Sequence, residues 1–189
     1  MLEAARRDAV ERVRHEAFPC PARGLELVLY SAAAVAVPTP EPAFELNLNT
    51  GREMATRIDF LPDRSEQHWF ALDRAILAAH GVPLAGAPDT RAFAPLPRTL
   101  VLALLAESLR WYLRESAPAD DAVLNACLAL RYREDGTLTS KPSAVAWAIA
   151  NVDDPALVES AVQARGGHGD VDRSAARAFV GRALERLTA

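Results

Sequence analysis

The spacing of apolar positions alternates between helical and strand periods in the first half of the chain and stays helical in the second. Leu2, Ala5, Ala9, Val13 and Ala17 recur at helical spacing with Arg and Glu between them, which predicts an amphipathic helix over residues 2–17. Phe18-Pro19-Cys20-Pro21 ends it. Leu25-Glu26-Leu27-Val28-Leu29-Tyr30 then alternates. That predicts a strand with Leu25, Leu27 and Leu29 on one face and Glu26, Val28 and Tyr30 on the other. Ser31 opens a short Ala/Val helix to Val37, broken by Pro38, Pro40 and Pro42. Phe44, Leu46 and Leu48 mark a second strand, followed by the turn residues Asn49-Thr50-Gly51. A helix is predicted from about Ser65 to His80, stopped by Gly81.

Residues 81–97 are rich in Gly and Pro and read as a loop, which divides the chain into 1–96 and 97–189. Beyond Pro97 no strand pattern returns. Arg98 to Glu115 is apolar on nearly all sides, as expected of the central helix of a bundle. Asp120 or Asp121 caps the next helix, which carries Val123, Leu124, Cys127, Leu128 and Leu130. Glu134-Asp135-Gly136 turns into a helix that starts at Pro142 and runs to about Ala150. Asp153-Asp154-Pro155 opens another, to about Ala164, and a last helix spans about 172–187. The expected class is α+β: a mixed first part, then a bundle of about five helices with Trp147 and Leu124 in its core.

Composition narrows the function classes. The 189 residues carry a net charge of −4 without any basic run, so nothing points to nucleic acid. The apolar run Leu100–Ala106 is far too short to span a bilayer. Cys20 and Cys127 form no metal or redox pattern, and the four histidines have no ligand spacing. The expectation is a reduced, cytoplasmic chain with no membrane partner. Gly166-Gly167-His168-Gly169 is a link rather than a phosphate loop, since no strand precedes it.

The sharpest local signal is Ser140-Lys141-Pro142. Proline disfavours the α region for the residue before it, so Lys141 is placed at the mouth of a helix with Ser140 beside it. A cation there opposes the helix dipole by a few tenths to about 1 kcal/mol. A phosphate held between the ammonium and the helix N-terminus would reverse that sign, and a solvated lysine beside a cap is the bland alternative. Elsewhere each candidate also has an ordinary reading. Glu26 suits a solvated strand face, Asp120 and Asp121 suit a cap, and Trp111 suits a core position as well as a platform for a cation or sugar.

A family resemblance joins these residues. Asp120-Asp121-Ala122-Val123-Leu124-Asn125-Ala126-Cys127 and Ser140-Lys141-Pro142-Ser143-Ala144-Val145-Ala146-Trp147-Ala148 resemble the C-terminal helical domain of aminoglycoside adenylyltransferases of the streptomycin/spectinomycin type. Leu25-Glu26-Leu27-Val28 is similar to the family's third acidic strand, and Gly81-Val82-Pro83-Leu84-Ala85-Gly86 and Phe93-Ala94-Pro95-Leu96-Pro97 to its interdomain stretch. The resemblance implies a partial nucleotidyltransferase α/β domain over 1–96 and a helical domain over 97–189. It implies ATP and Mg2+ as cosubstrate and cofactor, and an aminoglycoside-like acceptor whose hydroxyl attacks the α-phosphorus. It implies Glu26 as general base, Lys141 with Ser140 at the nucleotide phosphates, Trp111 against the acceptor, and Asp120, with Asp121 as rival, at the acceptor's cationic groups.

Three departures qualify it. The family's Gly-Ser opening and paired metal-binding aspartates have no counterpart before Glu26, so the Mg2+ ligands are expected to be absent from this chain, through a missing N-terminus. Leu128 stands where the family often has arginine, and no tryptophan follows the second strand near 49–52. The expectation is an enzyme of this type in incomplete form, inactive alone. The rival is a non-catalytic remnant that binds a nucleotide or a partner.

Overall fold

Alternation builds the first part of the structure and helical periodicity the second. The structure is a computed structural model that describes residues 4, 7, 8, 10–12, 24–41, 43–51, 55–60, 67–84 and 92–189. The chain forms two compact units, Met1–Gln67 and His68–Ala189. It is mixed helix and strand, as expected for an α+β chain.

In the first unit, Ala4, Arg7, Asp8, Val10, Glu11 and Arg12 are helical and belong to α1. The apolar face expected there, Leu2, Ala5, Ala9, Val13 and Ala17, lies outside the described residues. Val10 is buried. Strand β1 (Leu25–Leu29) is followed by α2 (Ala32–Val35), whose cap Ser31 accepts from the Ala34 amide at 3.2 Å. Strands β2 (Leu46–Thr50) and β3 (Arg57–Asp59) complete an antiparallel sheet in the order β1-β2-β3. Leu27 pairs with Leu48 and Leu48 with Ile58.

Asn49 and Thr50, expected in a turn, continue β2. Thr50 is buried and its hydroxyl meets that of Thr56 at 3.0 Å. β3 was not expected, because three residues with a single apolar side chain, Ile58, carry no readable period. A polar side-chain bond ties it to β2: Asp59 Oδ2 accepts from the buried Asn47 Nδ2 at 3.2 Å, and within β3 it also accepts from Arg57 Nε at 2.8 Å. The described buried apolar residues of this unit are Val10, Val35, Phe44, Leu46 and Leu48, of which Val10, Leu46 and Leu48 form one cluster with Leu27 and Phe60 against it.

The second unit contains α3 (Gln67–His80) from its second residue, α4 (Arg98–Arg114), α5 (Ala119–Asp135), α6 (Lys141–Asn151), α7 (Pro155–Arg165) and α8 (Arg173–Thr188). The division therefore falls at the start of α3 and not in the Pro-rich loop at 96/97. The reason is packing: Ala71, Leu72 and Ala75 of α3 belong to the same apolar cluster as Val101, Leu104, Val123 and Phe179. α3 stops at Gly81, whose amide bonds the Leu77 carbonyl at 2.8 Å; a Cβ there would lie 2.5 Å from that oxygen.

α5 stops at Gly136, in the left-handed region with φ 73°. α7 and α8 start as read, with Asp154 and Asp172 accepting from the Leu157 and Ala175 amides at 3.2 and 2.7 Å. α5 packs on α4, α6, α7 and α8 and is the hub of the bundle. Its residues Val123, Ala126, Cys127 and Ala129 are fully buried, and Leu124 nearly so. Trp147 is only partly buried, with the Arg131 guanidinium 5.6 Å from its ring centroid, so it flanks the core where it was expected inside. Among the described residues no helix is long and apolar enough to cross a membrane.

Candidate functional site

Where α5 begins decides what its two aspartates do. The sequence puts one of them at the cap. In the structure Pro118 occupies the N-cap position, in extended conformation and without a side-chain bond, and α5 starts at Ala119. Asp120 and Asp121 fall in the first turn, where negative charge suits the helix dipole. Their carboxylates are therefore available for other partners.

Asp121 collects side chains from three other helices. Its Oδ1 accepts from Lys141 Nζ of α6 at 2.6 Å and from Arg165 Nη1 of α7 at 2.8 Å. Its Oδ2 accepts from the hydroxyl of Tyr112 of α4. Asn125, one turn along α5, donates from Nδ2 to the Tyr112 oxygen at 2.8 Å and to the Asp121 carbonyl at 2.8 Å. Asp120 is less engaged: its Oδ2 lies 3.9 Å from Arg165 Nη1. The side chains of Asp121, Lys141 and Arg165 are 26, 31 and 46% exposed, so the carboxylate is the inner member and the two cations are the outer ones.

The electrostatics follow from that arrangement. Burial opposes ionisation of Asp121, but the bonds from Lys141 and Tyr112 and the nearby Arg165 charge outweigh it and hold the carboxyl below the usual range. The Tyr112 hydroxyl is raised well above its ordinary value by burial and by the adjacent carboxylate, so it stays a neutral donor.

Lys141 reaches Asp121 because of how α6 starts. Ser140 is the N-cap, extended at φ −71° and ψ 155°, and its Oγ accepts from the Ser143 amide at 3.4 Å and meets the Ser143 hydroxyl at 3.1 Å. The Ala144 amide bonds the Ser140 carbonyl at 3.0 Å, closing the first turn around Lys141. Lys141 is thus the first residue inside the helix and Pro142 the second, one position later than the sequence suggests. The bias against α before proline is outweighed by the serine cap, and proline in a first turn leaves no intrahelical donor missing. The loop before α6 is tied back by His80 Nε2, 2.6 Å from the Leu138 carbonyl. The anion that the helix-mouth lysine calls for is supplied within the chain by Asp121.

Trp111 stands next to Tyr112 on α4. It is partly buried and meets Trp69 and Tyr112 edge-on, at ring-centroid distances of 5.5 and 5.0 Å. Glu26 belongs to the other unit, at an exposed position of β1 opposite Asn49. The structure therefore gathers Asp120, Asp121, Lys141 and Ser140 at adjoining helix starts, with Trp111 on the helix that sends Tyr112 to Asp121. A shallow pocket shares Tyr112 with this cluster, and its other lining residues include Glu115, Ala119, Arg173 and Arg177 but not Asp121, Lys141 or Arg165.

Three members were not read from the sequence: Tyr112, Asn125 and Arg165. Asn125 had a usable signal, one helical turn after Asp121. Arg165 had none, since it lies 44 positions from its partner at the far end of another helix. Among the described residues no group of three or more His, Cys, Asp or Glu side chains could hold a metal ion. The chain matches no protein-family model and no curated protein. The resemblance rests on the motif residues themselves.

Proposed function

We propose that this chain is a nucleotidyltransferase of the aminoglycoside adenylyltransferase type, of the class that moves AMP from ATP to a hydroxyl of an aminoglycoside-like acceptor with release of pyrophosphate. The observation that carries the reading is the meeting of Lys141 Nζ and Asp121 Oδ1 at 2.6 Å. These are charged residues from the two separate stretches on which the resemblance rests. Lys141, with the Ser140 cap beside it, contacts the nucleotide phosphates. Trp111 offers a face to the acceptor, and Glu26 takes the proton of the attacking hydroxyl. Between the two aspartates, Asp120 is the better partner for a cationic acceptor, because both oxygens of Asp121 already accept hydrogen bonds.

Magnesium does not fit the described residues, which hold no cluster of ligands for it. The charge neutralisation it gives phosphoryl transfer has no seat among them. The reading we propose is a chain that binds ATP without turning it over alone, and the second reading is a nucleotide- or partner-binding protein without catalysis.

Titration calorimetry on the whole chain tests the shared part. Lys141→Ala should weaken ATP binding by about 1–3 kcal/mol, the range for charge-assisted contacts. It should change the melting temperature little, since the lost ion pair is partly exposed. Unchanged ATP affinity would move the nucleotide site elsewhere. Magnesium-dependent pyrophosphate release by the pure chain with ATP and streptomycin, spectinomycin or gentamicin would show that it is catalytically complete, against expectation.

A further inference from the structure

Asp121 sits where a phosphate oxygen would be expected. One of its oxygens lies 2.6 Å from an ammonium and 2.8 Å from a guanidinium, the distances and donor types that bind phosphate in proteins. The carboxylate is not free to move aside. Its second oxygen is held by Tyr112, which is held in turn by Asn125, and Asn125 is tied to the Asp121 backbone. Lys141 and Arg165 are the more exposed partners and have long side chains that can swing. The local charges cancel, with Asp120 and Asp121 against Lys141 and Arg165.

We propose that Asp121 is an internal stand-in for phosphate, which occupies Lys141 and Arg165 in the empty site and from which an incoming nucleotide must take them. The inference rests on the reading of Lys141 as a nucleotide ligand. It adds two things to that reading: Arg165 is a second phosphate ligand, and the Tyr112–Asn125 pair positions the competing carboxylate. The consequence is an unusual direction of effect. Removing the charge of a residue in the site strengthens ligand binding.

The occupant differs from a merely nearby charge in how Asp120 behaves. Asp120 also faces Arg165, but at 3.9 Å. Neutralising either aspartate changes the local charge equally, yet only Asp121 bonds both cations.

The experiment is calorimetric titration of ATP into the full chain as wild type, Asp121→Asn and Asp120→Asn, with a thermal melt of each. Asp121→Asn is expected to bind ATP about tenfold tighter, equivalent to about 1.4 kcal/mol. Asp120→Asn should change the ATP affinity by less than about threefold, because Asp120 stands 3.9 Å from Arg165 and hydrogen-bonds neither cation. Equal effects of the two variants, or no gain in a folded Asp121→Asn, would overturn the stand-in while leaving the nucleotide reading intact. No ATP binding by wild type or by either folded variant would overturn both.

A second measurement needs no variant. The carboxyl 13C resonance of Asp121 in the wild-type chain should titrate at higher pH with ATP bound than without, because the carboxylate has lost its two cations. An unchanged titration at saturating ATP would show that Lys141 and Arg165 never leave it, and would overturn the proposal.

Discussion

The helical unit and the sheet unit are stabilised in different ways. In the helical unit one apolar cluster runs from Ala71 to Leu187 and takes buried residues from every helix, and the helix starts are fixed by Ser140, Asp154 and Asp172. In the sheet unit the described buried apolar residues are Val10, Val35, Phe44, Leu46 and Leu48, and the Asn47–Asp59 bond ties β3 to β2 by a polar side-chain contact. A bundle centred on α5 spreads its stability over many mutually supporting contacts. A small sheet concentrates it in a few side chains and in its ladder bonds.

That contrast can be broken most easily at Phe179, which is 4% exposed in the helical core. Phe179→Ala should cost about 3–5 kcal/mol. The three tryptophans, Trp69, Trp111 and Trp147, all lie in the helical unit, so denaturant unfolding followed by their fluorescence reports on this unit alone. A loss below about 1 kcal/mol would mean that the bundle core is far looser than its packing.

Leu48→Ala probes the other unit. Leu48 is fully buried at the centre of the sheet, and its truncation should cost about 2–3 kcal/mol there. Amide exchange across residues 46–50 should accelerate while the tryptophan unfolding curve stays in place. A matching shift of that curve would show that the two units unfold as one.

Trp147→Ala sharpens the picture at the edge of the bundle. With partial burial and the Arg131 contact as its main attachments, the change should cost about 1–2 kcal/mol, well below a core tryptophan. A loss as large as that of Phe179→Ala would put the ring back inside the core.

The smallest effect is in pH. Asp121 is held below the usual carboxyl range when folded, so its contribution to stability is fully present above the unfolded aspartate value. It is lost as pH falls through the lower folded value, because the unfolded chain takes up the proton first. Asp121→Asn should flatten this acid-side decline in the helical unit and leave amide exchange in the sheet unit with its wild-type pH dependence. An identical acid profile in the variant would show that the cluster contributes nothing to folding.

Much of the helical unit was legible because its determinants are local. Apolar spacing gave five helices beyond Pro97, and Asp154-Pro155 and Asp172 fixed two starts that the structure places at the same residues. The failures were also physical. Pro118 took over the cap that Asp120 or Asp121 was expected to provide, since its extended geometry ends the preceding segment ahead of both aspartates. β3 is too short to show a period, and Thr50 is buried by pairing that no local pattern encodes. At the site, Lys141 could be found from its place beside a proline, but its counter-ion could not. Asp121 and Arg165 come to it from two other helices, and only the packing of α5 against α6 and α7 brings them together. Tyr112 was overshadowed by Trp111, although the hydroxyl and not the indole reaches the carboxylate.

Cys127 gives the same packing a practical meaning. It lies at the middle of α5, fully buried, and burial pushes its thiol up to about 12. An alkylating reagent needs a thiolate and a path to it, and the folded chain offers neither at neutral pH. Reagent can reach this sulfur only when the helices around α5 come apart. The rate of Cys127 alkylation is therefore a clock built into the chain, one that counts the openings of its hub.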